Sequence, residues 1–159
     1  MIILGIDPGL NKTGWGVISF EKNTLKFIAC GTIKTNAKDN TCTRLAAISE
    51  GLKKVITEYD PDESAIEETF VNNNARSSLA LGQARGAAIL TLAQAKINVA
   101  EYAATLVKKT VTGNGHADKT QVDAMVKMLL PASTAETADA ADALAVAITH
   151  AHHRRAVGS

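Results

Sequence analysis

The run Ile2-Ile3-Leu4-Gly5-Ile6 near the start of the chain is apolar almost without interruption, ends in Asp7, and is followed at once by Pro8-Gly9. A run of that kind closed by turn residues is the pattern of a central strand buried on both faces, so it needs packed layers above and below it. The segments that follow supply those layers. Asn11-Lys12-Thr13-Gly14 continues the turn chemistry, Trp15 to Phe20 has the composition of the returning strand of a hairpin, and Leu25 to Lys34 is a third strand. Leu45, Ile48, Leu52, Val55 and Ile56 recur at helical spacing until Asp60-Pro61 stops the helix. Ser64 to Phe70 is a short strand, Asn73 to Lys96 a helix, and Asn98 to Tyr102 a fifth strand.

From Ala104 the pattern is helical, broken at Thr112-Gly113-Asn114-Gly115-His116 and again at Pro131. Ser133-x-x-Glu136 has the form of a capping box ahead of an Ala-rich helix from Thr137 to His153. The order β-β-β-α-β-α-β-α predicts an α/β fold, a five-stranded mixed sheet flanked by helices. At 159 residues this is one domain, spanning 1–159, with a short basic C-terminal tail from about His152 in His152-His153-Arg154-Arg155. Cations there suit a helix C-terminus.

Two cysteines, Cys30 and Cys42, cannot provide a four-cysteine metal site or a disulfide framework, so a metal would be held by oxygens, and free thiols suit a reducing cytosol. The chain opens directly into the first strand without a basic leader, and no apolar run approaches the ~18 residues of a membrane span. The expectation is a cytoplasmic protein with no membrane partner. Net charge is +1, but residues 71–135 carry seven Lys and Arg against three Asp and Glu, so the basic excess lies in the middle of the chain.

Four carboxylates stand where a chemical role is plausible. Asp7 ends a buried strand at its C-terminal edge, the edge that active sites favour, although an Asp before Pro also suits an ordinary turn. Glu67 alternates with Ile66 in a short strand, and if that strand pairs with the first, Glu67 approaches Asp7, where two like charges repel unless a cation separates them. Asp139 and Asp142 share one face of a helix whose other residues are too apolar and too small for full exposure. Such an oxygen-rich set suits Mg²⁺ or Mn²⁺, and two such ions would support in-line hydrolysis of a phosphodiester.

Gly5-Ile6-Asp7-Pro8-Gly9, Thr13-Gly14-Trp15-Gly16-Val17, Ala65-Ile66-Glu67, Leu81-Gly82-Gln83-Ala84-Arg85-Gly86 and Asp139-Ala140-Ala141-Asp142-Ala143-Leu144-Ala145 together resemble the RuvC family of bacterial Holliday-junction resolvases, over Ile2 to about His150. The resemblance implies a ribonuclease-H-like fold and a homodimer. It also implies a structure-selective endonuclease that resolves four-way DNA junctions by symmetric paired nicks in recombination and repair, leaving 5′-phosphate and 3′-hydroxyl ends. By position the family's four metal-holding acids, two Mg²⁺ per site with Mn²⁺ as substitute, are Asp7, Glu67, Asp139 and Asp142. Ala-Ile-Glu matches with Glu67 rather than the adjacent Glu68. Phe70 corresponds to an aromatic that contacts unstacked bases, and Lys108 and Lys119 to basic positions near the cleaved backbone. Arg76, Lys109 and Lys127 are further candidates for the DNA face. RuvA and RuvB, the branch-migration proteins, are the implied partners.

Three other readings compete on sequence alone. An actin-like or sugar-kinase-like ATPase also opens with Asp-x-Gly after a strand, but needs two lobes of this fold. A related ribonuclease-H-like nuclease on another nucleic acid would share the acids and differ only in substrate. A junction-binding protein without catalysis would need no carboxylate quartet.

Overall fold

The computed structural model describes residues 1–68 and 73–154. Its strands are β1 (Ile2–Asp7), β2 (Lys12–Glu21), β3 (Thr24–Lys34), β4 (Glu63–Glu67) and β5 (Asn98–Tyr102). Its helices are α1 (Thr41–Tyr59), α2 (Ala75–Gln94), α3 (Ala104–Thr112), α4 (Lys119–Leu129) and α5 (Ala138–His153). The sheet order is β3-β2-β1-β4-β5, so the apolar β1 is central as its sequence requires. It runs antiparallel to β2 and parallel to β4, and β5 joins parallel to β4.

Alternation along β1 separates the two faces. Leu4 and Ile6 pack with Ile48 and Leu52 of α1 and Ala84, Ala88 and Leu92 of α2. Ile3 packs on the other side with Leu144 and Ile148 of α5, Val107 and Val111 of α3, and Val122 and Val126 of α4. Helix α5 is buried over nearly its whole circumference from Ala140 to Ala151, because the sheet lies beneath it and α3 and α4 flank it. Only small side chains permit that. A Cβ on Gly5 of β1 would run into the carbonyl oxygen of Ala143, so helix and strand meet backbone to backbone.

The structure corrects several details. Strand β2 begins at Lys12, so Lys12, Thr13 and Gly14 belong to the ladder rather than to the turn, with Gly14 opposite Asp7. Ser133 does not cap α5: its hydroxyl accepts from the Ala135 amide, and Thr137 is the cap, accepting from Ala140 N at 3.2 Å. The capping box falls instead at Asp118 and Gln121, at the start of α4. His152 and His153 are part of α5, and Arg154 reaches back to β4 with a two-pronged contact to the Glu63 carboxylate, at 3.1 and 2.9 Å; the rest of the expected basic tail lies outside the described residues. That contact holds Glu63 below the usual carboxylate range, with His150 helping from the side.

Among the described residues no helix is long and apolar enough to cross a membrane.

Candidate active site

Parallel pairing of β4 beside β1 matches Ile6 with Ile66, which sets Asp7 and Glu67 at adjacent strand ends. Both share the parity of the residues facing α5, so their carboxylates leave the sheet on the same side. Helix α5 arrives over the same edge with Asp139 in its first turn and Asp142 one turn on. The approach depends on Gly14, where a Cβ would collide with the backbone of Asp139.

These elements enclose a cavity of about 310 Å³ lined by Asp7, Glu67, Asp142, Lys108 and Lys119, with apolar walls from Ile6, Val107 and Val122. Asp139 stands outside that lining, but its charge acts on Asp7. Burial, then the charges of Asp142, Asp139 and Glu67, push the Asp7 carboxyl up to about 7, against the lowering pull of Lys119. Burial and Asp142 likewise raise Glu67, opposed by Lys108 and Lys119. Asp142 is raised by burial despite a hydrogen bond from the Lys119 ammonium. Burial works against the charge of Lys119, but Asp142 and Asp123, the latter at 3.6 Å, more than offset it and hold the ammonium above its ordinary value.

An all-oxygen donor set whose members make one another harder to ionise is short of positive charge, and a hard divalent cation fits it. Among the described residues no three His, Cys, Asp or Glu side chains are drawn to ligating distance of a common point. The acids surround the space, and Lys119 lies on one of them.

The geometry sorts the other candidates. Glu67 lines the cavity and Glu68 does not; the Glu68 amide donates to Tyr102 O at 2.7 Å, prolonging the β4–β5 ladder. Arg76 is exposed in the first turn of α2, away from the cavity lining. Lys127 is exposed and donates to the Ser133 carbonyl at 2.7 Å, and Lys109 is exposed on α3. Phe70 lies outside the described residues.

Two contributors escaped the sequence reading. Gly14 sat in a quoted motif without a role, and only the packing of α5 supplies one. Arg85 of α2 donates from Nη1 to the Glu67 carbonyl oxygen at 2.6 Å and pairs through Nη2 with Glu101 of β5. It ties α2, β4 and β5 together at the acidic edge. An arginine amid the apolar and small residues of α2 was the available signal.

The family model for the crossover junction endodeoxyribonuclease RuvC matches residues 3–150. The chain belongs to the RuvC family. It is 58% identical over 154 residues to the RuvC of Nitrobacter hamburgensis, covering 97% of this chain and 91% of that one. It is 59% identical over 152 residues to the RuvC of Rhodopseudomonas palustris, covering 96% and 87%. The fold superposes on Thermus thermophilus RuvC in complex with Holliday junction substrate with a TM-score of 0.88 and 31% identity, over 95% of this chain and 93% of that one. The expected ribonuclease-H-like architecture of the RuvC family is therefore the one observed.

Proposed function

We infer that this chain is a Holliday-junction resolvase, an endonuclease of the RuvC class that acts on phosphodiester bonds in four-way DNA junctions. The observation that carries the chemistry is the convergence of Asp7, Glu67 and Asp142 on one lysine-flanked cavity, with Asp139 acting on it from the helix above. Similarity to relatives of that name along the whole chain supports the choice of substrate.

In this reading Asp7, Glu67, Asp139 and Asp142 hold divalent metal, with Mg²⁺ as the expected ion, two per site, and Mn²⁺ as a substitute. Bound metal would supply Lewis-acid stabilisation of the attacking and leaving oxygens and a water made nucleophilic at neutral pH. Asp7 must give up its proton for this, which its raised pKa delays to about neutral pH. Lys119 and Lys108 lie at the cavity wall, where ammonium groups can meet the scissile backbone. Lys119 must then leave Asp142, and Asp123 on its own helix is the acceptor within reach. The products are nicks with 5′-phosphate and 3′-hydroxyl ends. Phe70, just beyond Glu67 in sequence, is the proposed contact to unstacked bases, and Arg76 an outlying phosphate contact.

A four-way junction is cut in two strands, and the described residues form one cavity of this kind, so a homodimer with two-fold symmetry matches the substrate. Helix α2 is the proposed contact: Gly82 and Gly86 face open space, and Leu79 and Leu90 beside them are 64% and 58% exposed. Association with RuvA and RuvB, and a cytoplasmic site of action, complete the proposal.

The test is a nicking assay on an immobile four-way junction and a matched linear duplex, with Mg²⁺ or EDTA, comparing wild type with Asp7→Asn. Paired nicks on the junction alone, dependent on Mg²⁺ and lost in the variant, are expected. Equal cutting of both substrates would make it a nuclease of another specificity, and binding without cutting would leave an architectural protein.

A further inference from the structure

Lys12 and Lys34 are register partners at the ends of β2 and β3, and both are exposed. Side chains directly opposite on an antiparallel pair share a face, and like charges there repel. The face can be identified from the neighbouring pair: Gly14 lies against Asp139 of α5, and Thr32 opposite it bonds through its hydroxyl to Thr137 at 2.9 Å. Lys12 and Lys34 are one side-chain repeat further along the same strands, so they stand on the α5 face. Asp7, opposite Gly14, is on that face too, at the same end of the sheet.

Among the described residues neither lysine has a carboxylate within ion-pair distance. Lys38 adds a third exposed cation in the connection to α1, with Asp39 next to it as the acid of that connection. Lys108 and Lys119 come from α3 and α4, on the β5 side of the acids. The β3 side, beyond the α5 N-terminus, carries Lys12 and Lys34 instead. Two lysines set against each other weaken the hairpin end locally, and a polyanion laid across them would reverse the sign of that interaction.

We propose that Lys12 and Lys34 form a second phosphate-binding flank, which holds the DNA backbone where it leaves the acidic cavity on the β3 side. The inference rests on the nuclease reading and extends it from the cut phosphate to its neighbours: one flank of lysines before the cavity and one after it keep the strand taut across the acids. Contacts of this kind position the backbone and carry no sequence information.

The experiment measures binding of an immobile four-way junction in EDTA as a function of salt for wild type, Lys12→Gln/Lys34→Gln, Lys34→Glu, and Lys53→Gln on the opposite face as a control, with melting temperature followed for each. Each neutralised phosphate contributes about 0.9 to the slope of log affinity against log salt, so the double variant should lower the slope by about 1.8 and weaken binding at least about tenfold at 0.1 M salt. Lys34→Glu creates an opposite-charge pair with Lys12, so its melting temperature should hold or rise while junction binding falls, a combination that loss of folding cannot produce. Lys53→Gln should match wild type. An unchanged slope and affinity in the double variant, with wild type still nicking the junction, would overturn the second flank alone. A wild type that neither binds nor nicks the junction would overturn the nuclease reading beneath it.

Discussion

Gly14 of β2 lies directly against the backbone of Asp139 at the start of α5, with no room between them for a methyl group. The acid that ends β1 and the acids of α5 therefore come together where the neighbouring strand lacks a side chain under the landing helix. The distance from Asp7 to the α5 acids is set by this contact, since Gly14 is also the register partner of Asp7.

Gly14→Ala is accordingly a structural lesion with a catalytic readout. Forcing a Cβ into the contact should push the α5 N-terminus outward at a cost of about 1–3 kcal/mol. Nicking should fall by at least about tenfold, as the Asp139 and Asp142 carboxylates move away from Asp7. A variant that nicks junctions at the wild-type rate would mean that the acids tolerate displacement and that the close approach is packing alone.

Without metal, the stability of the fold should fall as pH rises from about 4 to about 7. Asp7 is raised from 3.8 to about 7, so in that window the folded state binds more protons than the unfolded state, and stability decreases with pH. Below the unfolded value both states are protonated and the penalty vanishes; above about 7 it is fully present. Asp7→Asn should flatten the dependence and raise the melting temperature at pH 8, by ~2–4 °C for each kcal/mol of repulsion relieved. Thermal melts in EDTA between pH 4 and 8 check this, and the opposite slope in wild type would refute it.

The same carboxyl should make metal binding a competition with a proton. Metal affinity, measured by titration calorimetry with Mg²⁺ or Mn²⁺, should weaken progressively as pH drops below about 7, in step with protonation of Asp7. Lys119 lowers both Asp7 and Glu67, so Lys119→Met should move the acidic limb of the nicking profile to higher pH. A profile that only drops in height would assign Lys119 to the DNA rather than to the acids.

Arg85 and Glu101 separate positioning from general stability. Arg85→Ala removes both the bond to the Glu67 carbonyl and the ion pair; Glu101→Gln removes only the pair's charge. If the hold on Glu67 matters, Arg85→Ala should raise the metal concentration for half-maximal nicking several-fold, while Glu101→Gln stays near wild type. Equal effects of the two changes, tracking melting temperature, would reduce Arg85 to a strut.

The sequence reading was most successful where a single segment contains its own cause. The run before Asp7 is apolar at every position, so its central, doubly covered place in the sheet followed from composition. Asp139 and Asp142 share a helix face by spacing alone, whatever the helix packs against. It was weakest where the cause lies in another segment. The turn chemistry of Lys12-Thr13-Gly14 is genuine locally, yet those residues are strand because β1 and β3 bond to them on both sides. Ser133 and Glu136 have capping-box spacing, but α5 begins after them and Thr137, which also bonds Thr32 of β3, caps it instead.

The sequence by itself therefore determined the order of elements, the buried first strand, the four acids and the family they announce, because these depend on residue type and on periods of two or 3.6 residues along one segment. Only the tertiary structure decided that Gly14 sets the height of Asp139, that Arg85 grips the end of β4, and that Lys12 and Lys34 share a face with Asp7. Each of those is a meeting of residues far apart in the chain, and its geometry comes from strand register and helix packing, which no single segment encodes.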